Sequence, residues 1–496
     1  MITNMPQFIK NFTFGNLSLI KLSMILLCIL LLSSITSMAQ SITWQRILDS
    51  THYGGVSKIL QTSDGGYASV GNVRINNLYK INLTKIDIHG NILWVKIYGT
   101  GYAVARWAEE TTDNGLIICG YSDSASGNSK VYLLKTDSTG NIQWQRYYTY
   151  SSLDQGNCVK QTSDGGFILT CRNTLMSYDD GLIIKTDNAG IRQWQKVITY
   201  NTAISLQELE IVPNGYLFAG WINSQPSNAL LIKTNLVGDT IWTKTYGGSG
   251  SDAAYSLELL GNHGYLIAGS TGSFSVSNTE SYLIKTDTSG SMIWQKSYSG
   301  SYSEVCNAVK YKPGTGYVMA GYMDTTEISH SRALIKMVDT NGILLRQQTF
   351  FPSNRGGDFN DVELANDGGF ICGGGANNNS AFSLYAAKTD SLLQALPIGI
   401  TQISQIIPKE SSLLQNYPNP FNPETKIRFV IPKTGFVQLK IYDVAGRLIE
   451  TIVDKQLSPS IYEVTFDGSK YTSGLYFYQL TSDGKIVDTK KMCLLK

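Results

Sequence analysis

The chain has 496 residues, of which 42% are hydrophobic and 16% charged, and its formal net charge is +2. That length is more than one small domain needs and supports a large core. A charged fraction below the roughly 25% of ordinary soluble proteins leaves a surface of short polar residues and turns, and the near-neutral balance excludes electrostatic recognition of nucleic acid or anionic membranes.

At the N-terminus, Lys10 and Lys21 precede the apolar run MILLCILLLSSI, and SMA at 37–39 offers small residues for cleavage. This pattern predicts a signal peptide over 1–39. The run is short for a membrane span, and Cys28 inside it argues against a lipid-anchored form. With no later apolar run of spanning length, the mature chain is expected to have no membrane span.

From residue 41 onward a phrase recurs. KIDIHGNILWV, KTDSTGNIQWQ, KTDNAGIRQWQ, KTNLVGDTIWT and KTDTSGSMIWQ begin at 85, 135, 185, 233 and 285, and KMVDTNGILLRQ at 336 is a sixth version. Tryptophans stand at 44, 94, 144, 194, 242 and 294, and a period near fifty residues marks a solenoid, propeller or array. A second phrase keeps the same beat: QTSDGGY at 61, TTDNGLI at 111, QTSDGGF at 161 and ANDGGFI at 365, with looser copies between. Asp-Gly between apolar runs is a hairpin signal, because glycine accepts positive φ. Each period reads as four short strands, and seven periods predict an all-β, seven-bladed β-propeller over 41–396. The last copy stops after KTD at 388–390, whereas SITWQRIL at 41–48 has no repeat before it. The N-terminal strand is therefore expected to complete the last blade and close the ring. The phrase tryptophans are expected to pack between blades, with Arg346 replacing the sixth.

Residues 397–415 read as a linker. Beyond them, alternating strands with turns at AGR, DGS and SDG predict a small antiparallel, Ig-like sandwich over 416–496. YPNPFNP at 417–423, LKIYDVAGRLI at 439–449, SGLYFYQL at 473–480 and the basic end KKMCLLK resemble the type A C-terminal sorting domain of the type IX secretion system of Bacteroidetes-like bacteria. The resemblance implies that the secretion machinery is a partner of 416–496. It also implies a protein secreted or displayed on the cell surface by way of the periplasm, the module usually being cleaved. The DGGY/LIKTD/W repeats resemble those of uncharacterised secreted bacterial proteins, which implies a fold and little about activity.

Positions shared by all blades serve the blade, so function is expected where the blades differ. Propeller geometry puts both uniform turns on one face and the variable loops on the other. On the loop face Tyr121, Trp221 and Tyr322 occupy one matched place, with Asp123 and Asp324 after two of them, and the blade-joining loops add Asp154, Asp252, Glu304 and Asp358. Aromatic rings beside carboxylates suit a glycan or protein ligand, and a solvated polar rim is the plainer reading. Glu109, Lys160, Glu258, Lys310 and Glu363 share one inner-strand position and could ring the channel as structural charges. No catalytic motif, cofactor fingerprint or metal-ligand spacing emerges, the four histidines being isolated. The expected role is a non-catalytic binding or adhesion module with no cofactor, the alternative a glycan-active hydrolase or lyase on the same scaffold. Finally, an unbroken hairpin about Asp164-Gly165 would set Cys158 opposite Cys171, a candidate disulfide in an oxidising compartment.

Overall fold

The structure, a computed structural model, describes residues 42–49, 51–123, 128–175, 178–274, 278–298, 300, 302–324, 331–352, 356–378, 381–396, 400–403 and 408–496. The signal peptide expected over 1–39 lies outside the described residues. Seven four-stranded antiparallel sheets follow one another along the chain. Six are built from consecutive strands, forming blades 1 to 6 at 53–98, 103–148, 154–198, 204–246, 252–298 and 304–350. Blade 7 takes three strands from 357–389 and its outer strand from Trp44–Asp49, which pairs antiparallel with Ala381–Thr389. Each inner strand packs on the preceding blade, and the inner strand of blade 1 (Tyr53–Gln61) packs on blade 7, so the ring is closed.

The recurring phrase is a set of inter-blade and intra-blade fasteners. Gly140, at φ +78°, sits against the Trp94 ring of the preceding blade, where an added Cβ would lie 2.8 Å from the indole. The same contact joins Trp44 to Gly90, Trp144 to Gly190, Trp194 to Gly238, Trp242 to Gly290 and Trp294 to Gly342. Glycine is thus required at Gly140 both for its left-handed backbone and for the ring it touches. Tyr98, Tyr148, Tyr246 and Tyr298 hydroxyls donate to the carbonyl of the same turn glycine of the next blade.

Within a blade, the phrase lysine reaches the aspartate of the DGG-type turn. Lys85 Nζ meets Asp64 at 2.7 Å, Lys135 meets Asp113 at 2.9 Å, Lys185 meets Asp164 at 2.8 Å and Lys388 meets Asp367 at 2.9 Å. Blades 4, 5 and 6 have no aspartate in that turn. In blade 6 the lysine itself is displaced by one residue: Met337 pairs with Arg346 where other blades pair lysine with tryptophan. A one-residue shift along a strand reverses the side chain's face, and Lys336 instead forms a buried ion pair with Glu304.

All seven inner hairpins carry a bulge at one matched place, between Val56 and Lys58 in blade 1 and between Gly156 and Cys158 in blade 3. This overturns the expected disulfide. Five residues separate Gln161 from Phe167, so Cys158 faces Thr170, and beyond the bulge Cys171 faces Gly156. The odd loop puts the two cysteines on opposite faces of the sheet. Cys158 joins the core shared with blade 4, Cys171 the core shared with blade 2, and both thiols are free.

The C-terminal module is a two-sheet sandwich around Ile427, Phe429, Leu439, Ile441, Tyr462 and Tyr478. The expected linker is corrected here too. Ile400–Gln402 pairs with Ser460–Asp467, and Ser412–Leu413 pairs with Glu424–Ile431, so both segments are edge strands of the first sheet. Their apolar residues explain this, Ile400 and Leu413 being buried.

Candidate functional site: the loop face and the axial channel

Loops between the second and third strands of each blade, and those joining blades, gather at the end opposite the uniform turns. Here the sequence-predicted residues divide. Asp154 and Asp252 are 0% and 1% exposed, which corrects their assignment as ligand-facing groups. Asp154 accepts from the Tyr150 and Ser151 amides and the Ser151 hydroxyl, and Asp252 from the Gly248 amide and the Thr271 and Ser273 hydroxyls. Both stitch the blade-joining loops together, as buried carboxylates must find donors. Glu304 is spent on Lys336.

The remaining predicted residues fall into two groups and one outlier. Across blades 1 and 2, Tyr79 contacts Tyr102 edge-on at 5.6 Å, and Tyr102 contacts Tyr121 at 6.1 Å. The Arg106 guanidinium lies 5.7 Å from the Tyr121 ring centroid. Burial, and then the neighbouring Tyr121 hydroxyl and Asp123, push the Tyr102 phenol up. Across blades 5, 6 and 7, Tyr322 is raised by burial and by the nearby Asp324, Tyr255 and Asp358. Asp358 accepts the Gly375 amide at 2.8 Å and is pushed up to about 6 by burial. Trp221, half-buried on blade 4, belongs to neither group.

Sequence reasoning missed Arg106, which occupies the bulge position of its inner strand. At that place Ser57, Asn157, Asn307 and Asn360 bond to a carbonyl of the adjoining blade's inner strand. Arg106 is exposed instead, and Tyr255 fills the same place in blade 5. Departure from a repeated Ser/Asn position was the available signal.

The inner-strand charges do come together. Lys310 bridges Glu363 at 3.2 Å and Glu258 at 3.4 Å, and Lys160 stands 3.0 Å from Glu210 and 3.9 Å from Glu109. Lys58 stands two residues earlier on its strand than that matched position, and it joins the same network, with Asp361 at 2.9 Å and Glu363 at 2.6 Å. Burial pushes Asp361 up, whereas Lys58 and Lys310 hold Glu363 down against the same burial. Burial also pushes Glu208 up to about 7. Towards the turn face the channel opens into a cavity of about 390 Å³ beside Trp107.

Residues 415–494 match the secretion system C-terminal sorting domain. The sorting domain carries the protein out of the cell, to its surface or the extracellular space, and its partner is the type IX secretion machinery. Among the described residues no helix is long and apolar enough to cross a membrane. No curated protein sequence matches the chain. Two solved structures are similar: a neuraminidase-like protein from A/bat/Guatemala/164/2009 and the β-propeller domain of the Trilobed protease from Pyrococcus furiosus. The first is 8% identical with a TM-score of 0.38, over 72% of this chain and 97% of that one. The second is 8% identical with a TM-score of 0.42, over 68% and 95%. At these scores neither carries a functional argument.

One serine-hydrolase-like grouping is geometrically idle. Thr51 Oγ1 and Asp49 Oδ2 both stand 2.9 Å from the same nitrogen of His52, Nδ1, so the imidazole cannot relay a proton between two nitrogens there.

Proposed function

We propose that the mature propeller is a non-catalytic binding or adhesion module that a type IX system delivers through residues 416–496, after an N-terminal signal peptide has taken it to the periplasm. The host is a Bacteroidetes-like bacterium, and the blades belong with the DGGY/LIKTD/W repeats of secreted bacterial proteins. The ligand is a glycan or protein held on the loop face by Tyr79, Tyr102, Tyr121, Arg106 and Asp123, with Tyr322, Asp324 and Trp221 as further contacts. The observation that carries this reading is the Tyr79–Tyr102–Tyr121 chain capped by Arg106. Rigid aromatics beside a guanidinium are the residue types that dominate recognition surfaces, and Arg106 stands where blades 1, 3, 6 and 7 spend the position on a bond to the next blade. The glycan-active hydrolase or lyase is the lesser reading, because two of the loop-face carboxylates it would draw on, Asp154 and Asp252, are buried and already hydrogen-bonded.

The test is a glycan and peptide array probed with the secreted chain, followed by incubation of every hit with the protein and mass analysis of the ligand. Binding without turnover supports the module. Cleavage of a bound glycan replaces it with the enzyme. In the native host, removal of 416–496 should leave the propeller in the periplasm with its signal peptide cleaved, and its normal appearance outside would remove the export route.

A further inference from the structure

The turn-face cavity is built where two inner-strand places carry a large apolar residue in neighbouring blades. At the inner-strand place where blade 2 has Trp107, the other blades have Lys58, Cys158, Glu208, Ser256, Ala308 and Asp361. Two residues further along, six blades carry a charge and blade 1 carries Leu60. Leu60 therefore interrupts the charged ring, and with Trp107 of the neighbouring blade it gives the cavity one apolar wall. The opposite wall is charge-balanced: Lys58 and Lys160, which lie 4.3 Å and 5.7 Å from the Trp107 ring centroid, face Glu109 and Glu363. Glu110, also on the rim, is occupied by the Ser63 amide and hydroxyl. One acceptor is left over. Glu109 Oε2 is buried and has no hydrogen-bond partner, Lys160 Nζ standing 3.9 Å away, and burial pushes this carboxyl up.

We infer that this cavity is a second ligand site, separate from the loop face, for a single neutral pyranose unit, free or at a chain end. Both lysines are ion-paired and the third carboxylate, Glu110, is hydrogen-bonded to Ser63, so a charged ligand finds no free complement. An orphaned buried acceptor costs free energy until a donor reaches it. A sugar ring supplies several hydroxyl donors together with an apolar C–H face for the indole and Leu60. The cavity volume lies within the range of small-molecule sites, roughly 300–1,000 Å³.

Saturation-transfer NMR on the secreted chain tests this with a panel of free hexoses, n-butylamine and butyrate. At least one hexose should receive saturation, and neither ion should. Trp107→Ala should weaken that hexose by about tenfold. Because Trp107→Ala could disturb the fold, Asn366→Trp provides the second variant: Asn366 is an exposed turn residue at the mouth, and a bulky ring there should block the signal with the melting curve unchanged. Tyr121→Ala, on the loop face, should leave the hexose signal intact, which separates this site from the proposed array ligand. The inference is overturned if no hexose is saturated, if butylamine or butyrate is saturated in their place, or if Asn366→Trp leaves the hexose signal as it was.

Discussion

At the junction of blades 1 and 2 an indole lies on a left-handed glycine, and five other junctions repeat that contact. The junction of blades 6 and 7 does without it. Arg346 is exposed where the tryptophan would be, and the receiving turn has Leu393, at φ 65° and fully buried, where the glycine would be. Both halves of the contact are changed at once. The turn lysine and aspartate are looser: blades 1, 2, 3 and 7 have both, blade 6 has neither at those places, and blades 4 and 5 keep Lys233 and Lys285 without the aspartate. Internal copies thus set the indole–glycine contact, whose two halves change together, apart from Arg106, which departs from a Ser/Asn place with no partner change.

The largest effect is expected at ring closure. Trp44 is 0% exposed, its indole nitrogen donates to Ile88, and its strand is supplied by the other end of the chain. Trp44→Ala should cost about 3–5 kcal/mol, read as a shifted denaturation midpoint, and an unchanged midpoint would show that blade 7 does not need it.

Next comes the buried lysine of the same blade. Lys388→Met leaves Asp367 without its ammonium in a site where the lysine side chain is 0% exposed, a loss of about 3 kcal/mol. Adding Asp367→Asn should recover much of it, since blade 6 is folded with Met337 and no turn aspartate. Lys233→Met in blade 4, whose turn has no aspartate, should move stability by less than about 0.5 kcal/mol. Equal losses from Lys388→Met and Lys233→Met would break the pairing argument.

Smaller again is Gly140→Ala, at about 2 kcal/mol, from the left-handed backbone and the Trp94 contact together. Chemical denaturation should show it, whereas Gly65→Ala, whose Cβ meets nothing within 4 Å, should show the backbone share alone.

The smallest effects are titrations. Glu208 at about 7 and Asp358 at about 6 hold protons in the folded chain that an unfolded carboxylate has released. Their stabilising contribution is complete below about pH 4 and is lost as pH rises through 6 to 7. Asp64, Asp113 and Asp164 act oppositely. Burial works against them, yet lysine and threonine hydrogen bonds hold each at about 2, so their contribution is present above about pH 4 and is lost as pH falls through 2. Melting temperature should therefore peak in mildly acidic buffer, and Glu208→Gln should flatten the decline between pH 5 and 8. A Glu208→Gln profile that still tracks the wild type would remove Glu208 from the account.

Much of the ring is legible in the sequence because its contacts are periodic: tryptophan, glycine, lysine and the Asp-Gly turn each recur with the blade. Register is not. The bulge is present in all seven hairpins, so no copy departs from the others to announce it, and the five-residue loop at 162–166 passes for an even one. The Ser/Asn residues at 57, 157, 307 and 360 are its trace, each reaching from the bulge to a carbonyl of the neighbouring blade's inner strand. Asp154 and Asp252 mislead for a related reason. A carboxylate in a variable loop reads as a ligand group until the loop amides that cap it are placed. Trp107 escapes notice because it lies outside the recurring phrase, though it is the one aromatic among the seven residues at its inner-strand place.

The central claim is that Arg106 and Tyr121 hold the ligand on the loop face, whereas the turn lysine and its aspartate hold the blade. The most direct measurement compares Arg106→Ala and Tyr121→Ala with Lys135→Met on one glycan and peptide array, with melting curves alongside. The account predicts array binding by the wild type, loss of that binding in the first two variants at an unchanged melting temperature, and retained binding at a lowered melting temperature in the third. Binding that survives both loop-face variants, or that is lost in step with stability in all three, would contradict it.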